Sequence, residues 1–154
     1  MQLKVTSPAF SNKGNIPREY TSDGSGVSPE IKWSSAPSGT KSFVMIVDDP
    51  DAPSGTFTHW VIFDIPATVH ELPKNVPTTE TLPNGARQGM NSAHKIGWTP
   101  PSPPHGMHEY DFRVYAMDKI IDLKPGCSKV QLLDAMNQHV LAQGEIAGFY
   151  TKKK

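Results

Sequence analysis

The stretch "SFVMIVDDPDAPSGTFTHWVIFDI", residues 42–65, decides the fold. It holds two apolar, β-branched runs, "SFVMIV" (42–47) and "THWVIFDI" (58–65). Neither alternates polar with apolar, so both read as strands buried on two faces, in the middle of a sheet rather than at its edge. The connection between them, "DDPDAPSGTF", places three aspartates and two prolines within residues 48–53. Prolines fix the backbone dihedral φ, so Pro50 and Pro53 stiffen this loop. Asp49, Asp51 and His59 then gather around one end of two neighbouring strands.

Outward from this hairpin, "EIKWS" (30–34) alternates and reads as a short strand, and "YDFRVYAM" (110–117) as a strong one. "EIAGFYT" (145–151) reads as a last strand. Ser128 followed by Gln131 forms a capping-box pattern. Val130, Leu133, Met136, Val140 and Leu141 follow at helical spacing, which predicts one helix ending at Gly144 as its C′ residue. Fifteen prolines and twelve glycines are spread along the chain, which fits fixed turns between short strands better than a disordered tail. The expectation is a mainly-β fold in one domain, residues 1–154.

Lys and Arg balance Asp and Glu at 15 each, so no global field points to nucleic acid or an anionic membrane. The one basic run, Lys152 to Lys154, reads as a solvated tail. No stretch approaches the ~18 apolar residues of a membrane-spanning helix. The N-terminus has no apolar signal-peptide core, so a cytoplasmic location is expected. Cys127 is the only cysteine and cannot form an intramolecular disulfide.

A second cluster lies in "TPPSPPHGMHEY" (99–110), another proline-stiffened loop that runs into a strong strand. Its polar residues are His105, His108, Glu109 and Tyr110. Rigid loops at strand ends bring together side chains distant in sequence. Histidine and tyrosine donors braced by aspartate suit a small anion such as a phosphate monoester. The same histidines and aspartates are ligand types for zinc or non-haem iron, but none has a recognised metal spacing. A nucleophile elbow G-x-S-x-G, a P-loop and G-x-G-x-x-G are all absent. No metal, no cofactor and no enzymatic activity are therefore expected. His70, His94 and His139 read as structural or surface residues, and Trp33 and Trp60 as core.

"DPDAP" followed by His59, and then "PPHGMHEYDFRVYAM" (103–117), resemble the phosphatidylethanolamine-binding protein family. The likeness is greatest to its bacterial and archaeal branch, often called Raf-kinase-inhibitor-like. The resemblance extends from "SPEIKWSSAPSGTKSFVMIVDDPDAPSG" to "GEIAGFYT" and implies a large central sheet packed on a smaller one, with one or two peripheral helices. It also implies a shallow anion pocket formed by Asp49, His59, Pro103, Pro104, His108 and Tyr110, with Asp51 mainly bracing the loop. It implies a non-enzymatic, regulatory binding protein. As the alternative it implies an inhibitor of a kinase or serine protease acting through a rigid loop. Metal-assisted hydrolysis is the weakest reading. A homodimer is compatible with the family, although no apolar stripe marks an interface.

Three features depart from the family pattern. Glu109 stands where the family motif has arginine; strand alternation predicts His108 and Tyr110 pointing inward and Glu109 outward. Ser102 replaces a common glycine and is expected to narrow the pocket mouth. The chain stops after its last strand, without the C-terminal helix of mammalian members, so their lipid head-group selectivity is not expected to carry over.

Overall fold

The computed structural model describes residues 2–104 and 106–151. In chain order the elements are β1 (Lys4–Thr6), β2 (Gly14–Asn15), β3 (Ile31–Ser34), β4 (Ser42–Asp49), β5 (Phe57–Pro66), β6 (Glu71–Leu72), β7 (Arg87–Gln88), β8 (Met107–Met117), α1 (Lys129–Met136) and β9 (Val140–Thr151). The two apolar runs of the deciding stretch became β4 and β5, paired antiparallel. A six-stranded sheet has the order β2-β9-β8-β4-β5-β7, and a three-stranded sheet the order β1-β3-β6. The fold is mainly β, with a large sheet, a smaller sheet and one helix.

All eight residues of β4 are buried because this interior strand is covered on both faces. Phe43, Met45 and Val47 point into the larger core, with Val5, Ile31, Trp33 and Leu72 of the small sheet. Val44 and Ile46 point the other way, toward Phe63, Met117, Ile121, and Leu132 and Met136 of α1. An unbroken apolar run is what such a position demands. Trp33 and Trp60 lie in the larger core, as the sequence predicts. From residue 67 to residue 104 the chain is mostly loop, interrupted by the two-residue strands β6 and β7.

The helix departs from expectation. Its start is as predicted: the Ser128 hydroxyl accepts from Gln131 N–H, and the Gln131 side chain accepts from Ser128 N–H. Its apolar face is not. Leu132 and Met136, four residues apart, are buried, whereas Val130 is 71% exposed and Leu133 42%. The helix stops at Met136, where Asn137 caps it and Gln138 turns the chain with φ of 69°. Val140 and Leu141 therefore open β9 rather than extend a stripe. Gly144 lies within β9 for a different reason: a Cβ there would collide with the Leu3 carbonyl. Leu3 N–H donates to the Gln143 carbonyl, so the N-terminal segment lies directly against this point of the strand. A short helix with two buried side chains gains about 3–6 kcal/mol from their burial. Lys129 adds an ion pair to Asp48 at 2.9 Å.

No helix among the described residues is long and apolar enough to cross a membrane.

Candidate functional site

Three adjacent strands, β8, β4 and β5, deliver the candidate residues to one end of the large sheet. Asp49 ends β4 in the same row as Phe43, Met45 and Val47, so the larger-core face of the strand passes from apolar to acidic at its tip. Tyr110 on β8 belongs to the same core, with 1% of its surface exposed. His108, two residues earlier, falls on the same face of the strand by alternation.

His59 reaches this face through a backbone irregularity. Val47 pairs with Trp60 and Asp48 with Thr58, leaving His59 as an extra residue on β5. A bulge of this kind breaks strict alternation and re-aims a side chain. Consecutive residues His59 and Trp60 consequently share a face, and both contact Trp98, with ring centroids 6.4 Å and 5.6 Å away. Thr58 goes to the opposite face, where its hydroxyl donates to Asp48 at 2.8 Å.

A cavity of about 210 Å³ opens here. Asp49, His59, Pro103, Pro104, His108 and Tyr110 line it, together with Ala52, Pro53, Phe57, Thr99, Pro100 and Ser102. Six of the seven predicted site residues are thus brought together. Asp51 is the exception. It is exposed, and its carboxylate accepts from the Glu109 backbone N–H at 2.8 Å instead of facing the cavity. It ties the 50–56 loop to β8, the bracing role the family resemblance implies. His105 lies outside the described residues. Sequence reasoning missed the apolar wall made by Phe57 and Pro53, and also Thr99, whose contribution is a backbone carbonyl that no side-chain motif reports.

Each imidazole is held by one nitrogen. His108 Nδ1 lies 2.7 Å from Asp49 Oδ2, and His59 Nδ1 lies 2.8 Å from the Thr99 carbonyl. Both partners only accept, so Nδ1 is the protonated nitrogen in each ring. Asp49's other oxygen accepts from Asp51 N–H at 2.8 Å, so this carboxylate shapes the loop and orients a histidine at once. Burial pushes the His59 pKa down, against the opposing pull of the Thr99 carbonyl and of Asp49 and Asp48. Burial also pushes the Tyr110 phenol well above its usual range, with Asp49 and Asp51 adding to the effect. Tyr110 therefore stays a neutral hydroxyl at any physiological pH.

Among the described residues neither lysine nor arginine lines the cavity, so of these the imidazoles are its source of positive charge. Glu109 points away, as alternation predicts, and pairs with Lys13 at 3.2 Å. The carboxylate that replaces the family's arginine is turned out of the cavity. Ser102 does line it, as expected for a residue at its mouth. No group of three or more His, Cys, Asp or Glu side chains that could hold a metal ion occurs among the described residues.

The model of the phosphatidylethanolamine-binding protein family matches residues 6–151. The chain belongs to this family. It is 45% identical over 150 residues to a UPF0098 protein of Methanothermobacter thermautotrophicus, covering 97% of this chain and 99% of that one. Among solved structures, the phosphatidylethanolamine-binding protein homologue CT736 from Chlamydia trachomatis superposes with a TM-score of 0.91 at 37% identity, covering 99% of both chains. YBCL of E. coli, described as a member of the mammalian family, gives 0.91 at 32% identity, covering 99% of this chain and 100% of that one. Membership supports a ligand-binding protein. The described fold, with its conjunction of D-P-D-A-P and H-E-Y segments at one cavity, is that of a family member.

Proposed function

We propose that the chain is a non-enzymatic, regulatory protein that binds a small oxyanion, phosphate or a phosphoethanolamine-like group, in the cavity between Asp49, His59 and His108. The observation that carries this reading is the buried Asp49–His108 pair at 2.7 Å. The carboxylate holds the ring through Nδ1 and leaves Nε2 free of protein partners among the described residues, and in the charged ring Nε2–H is a charge-assisted donor. The Tyr110 hydroxyl lies in the same cavity wall and adds a second, neutral donor. A cavity of about 210 Å³ is below the range of ~300–1,000 Å³ usual for drug-sized ligands and fits a small ion or head group.

Calorimetric titration with inorganic phosphate and O-phosphoethanolamine at pH 6.5, on wild type and His108→Ala, tests the proposal. Binding by wild type that is lost in the variant supports it. Absence of binding by wild type sinks it.

A second reading, inhibition of a kinase or serine protease, draws on the exposed 50–56 loop. Pro50 and Pro53 stiffen this loop, and Asp51 fastens it to β8. A rigid loop loses little entropy on docking. Assay of a chymotrypsin-type protease with excess protein separates the two readings.

A further inference from the structure

Both imidazoles use Nδ1–H on an acceptor, so in their neutral forms both leave Nε2 as a bare lone pair. Neither Nε2 has a hydrogen-bond partner among the described residues. An ordinary oxyanion has only acceptors and gains nothing from a bare nitrogen. With the Tyr110 hydroxyl the neutral donor in this wall, a charged donor to such a ligand requires that one ring be protonated.

The two rings are not equivalent. His108 rests on the Asp49 carboxylate at 2.7 Å, which compensates a positive charge directly. His59 rests on a neutral carbonyl and is wedged among Phe57, Trp98 and Tyr110, with ring centroids at 4.8, 6.4 and 5.3 Å. The charged groups acting on it are Asp49 and Asp48 from β4, which favour its protonation, and His108 from β8, which opposes it. Once His108 carries the charge that holds an anion, a second charge on His59 is further disfavoured. The site then has one charged donor and one bare acceptor.

We propose that the pocket selects an oxyanion that itself carries a proton. This is the singly protonated form of phosphate or of a phosphomonoester, its charged oxygens accepting from His108 Nε2–H and its P–OH donating to His59 Nε2. The proposal rests on the anion-binding reading above and makes His59 the specificity-determining residue. Phosphodiesters and sulfate esters have no such proton and leave the His59 lone pair against an oxygen lone pair.

Matched ligands test this: methyl phosphate, dimethyl phosphate and methyl sulfate, with inorganic phosphate distinguishing free ion from ester. At pH 6.0 a phosphomonoester is about half in its singly protonated form. An unsatisfied buried acceptor corresponds to a penalty of about 10- to 100-fold in affinity. Methyl phosphate should therefore bind about 10- to 100-fold more tightly than dimethyl phosphate or methyl sulfate, and the gap should narrow in a second titration at a lower pH, the direction in which His59 gains a proton. His59→Gln presents an amide N–H in place of the lone pair and should bind all three esters within a few-fold. Equal affinities for the three esters in wild type, with binding intact, would overturn the selectivity and leave anion binding standing. Failure of all four ligands to bind at either pH would overturn both. A measurement on wild type needs no variant to fold: long-range ¹⁵N–¹H NMR should show the His59 Nδ1–H tautomer at pH 7, and an Nε2–H tautomer would refute the proposal.

Discussion

Asp111→Asn should stabilise the protein, and only above mildly acidic pH. Asp111 lies on β8 directly opposite Asp48 of β4, on the helix-facing side of the large sheet. It is 3% exposed, and its Oδ1 has no hydrogen-bond partner among the described residues. Burial first, and then the hydrogen-bonded Glu109 and nearby Glu145 carboxylates, push its pKa up to about 7, against the pull of Arg113. Two carboxyl groups can share a hydrogen bond only if one keeps its proton, and Asp111 is the one that does. The folded protein thus retains this proton to about pH 7, whereas the unfolded chain releases it near the ordinary ~3.9. Between these values the folded state binds more protons, so stability falls as pH rises and the full penalty is present above pH 7. A wholly shielded rise of this size would correspond to about 4 kcal/mol. Arg113 and Glu145 are 43% and 40% exposed, and solvent there screens the interaction, so about 1–2 kcal/mol is the realistic magnitude. Asparagine cannot ionise and keeps the shape. At pH 8 the variant should gain about 1–2 kcal/mol, or about 2–8 °C in Tm, and at pH 4.5 the gain should be nearly gone. Thermal or urea unfolding of both proteins from pH 4.5 to 8 measures the difference. A difference that is constant across that range would refute the assignment of the proton to Asp111.

Three further perturbations probe other parts of the structure. Gly144→Ala should destabilise by about 1–3 kcal/mol, because the new methyl meets the Leu3 carbonyl and must displace the N-terminal segment; urea unfolding checks it. Ser128→Ala removes the hydroxyl that accepts from Gln131 N–H, leaving the backbone half of the capping box, and should lower stability by about 1 kcal/mol without affecting ligand titrations. Anion affinity in wild type should rise as pH falls, because among the described residues no lysine or arginine lines the cavity and the imidazoles are its source of positive charge; calorimetry that is flat from pH 5 to 8 would argue against histidine donors.

Which features were legible in the sequence follows from what local patterns encode. Apolar runs report how many faces of a strand are covered, so β4 and β5 could be read directly. Strand alternation along "HEYDF" correctly turned Glu109 away from His108 and Tyr110. Capping chemistry is equally local, and the helix start at Ser128 was found. Its buried face was not, because Val130-Leu133 and Leu132-Met136 are both helical spacings within eight residues, and only the sheet surface decides between them. Gly144 carried a steric signal that was read as a helix stop; the cause was Leu3, about 140 residues away in sequence.

The site divides along the same line. Asp49, His108 and Tyr110 could be located because they sit at strand ends in regular alternation. His59 was chosen for its residue type and position, yet simple alternation next to the buried Trp60 would send it to the opposite face. The extra residue between the Val47–Trp60 and Asp48–Thr58 pairs turns it back. Thr99 then fixes its tautomer through a carbonyl oxygen. Both effects belong to the backbone, so neither leaves a side-chain signature. They are also what distinguishes the two histidines: one imidazole rests on a carboxylate and the other on a peptide oxygen. Any chemistry that treats the pair as equal donors overlooks the bulge that made them neighbours.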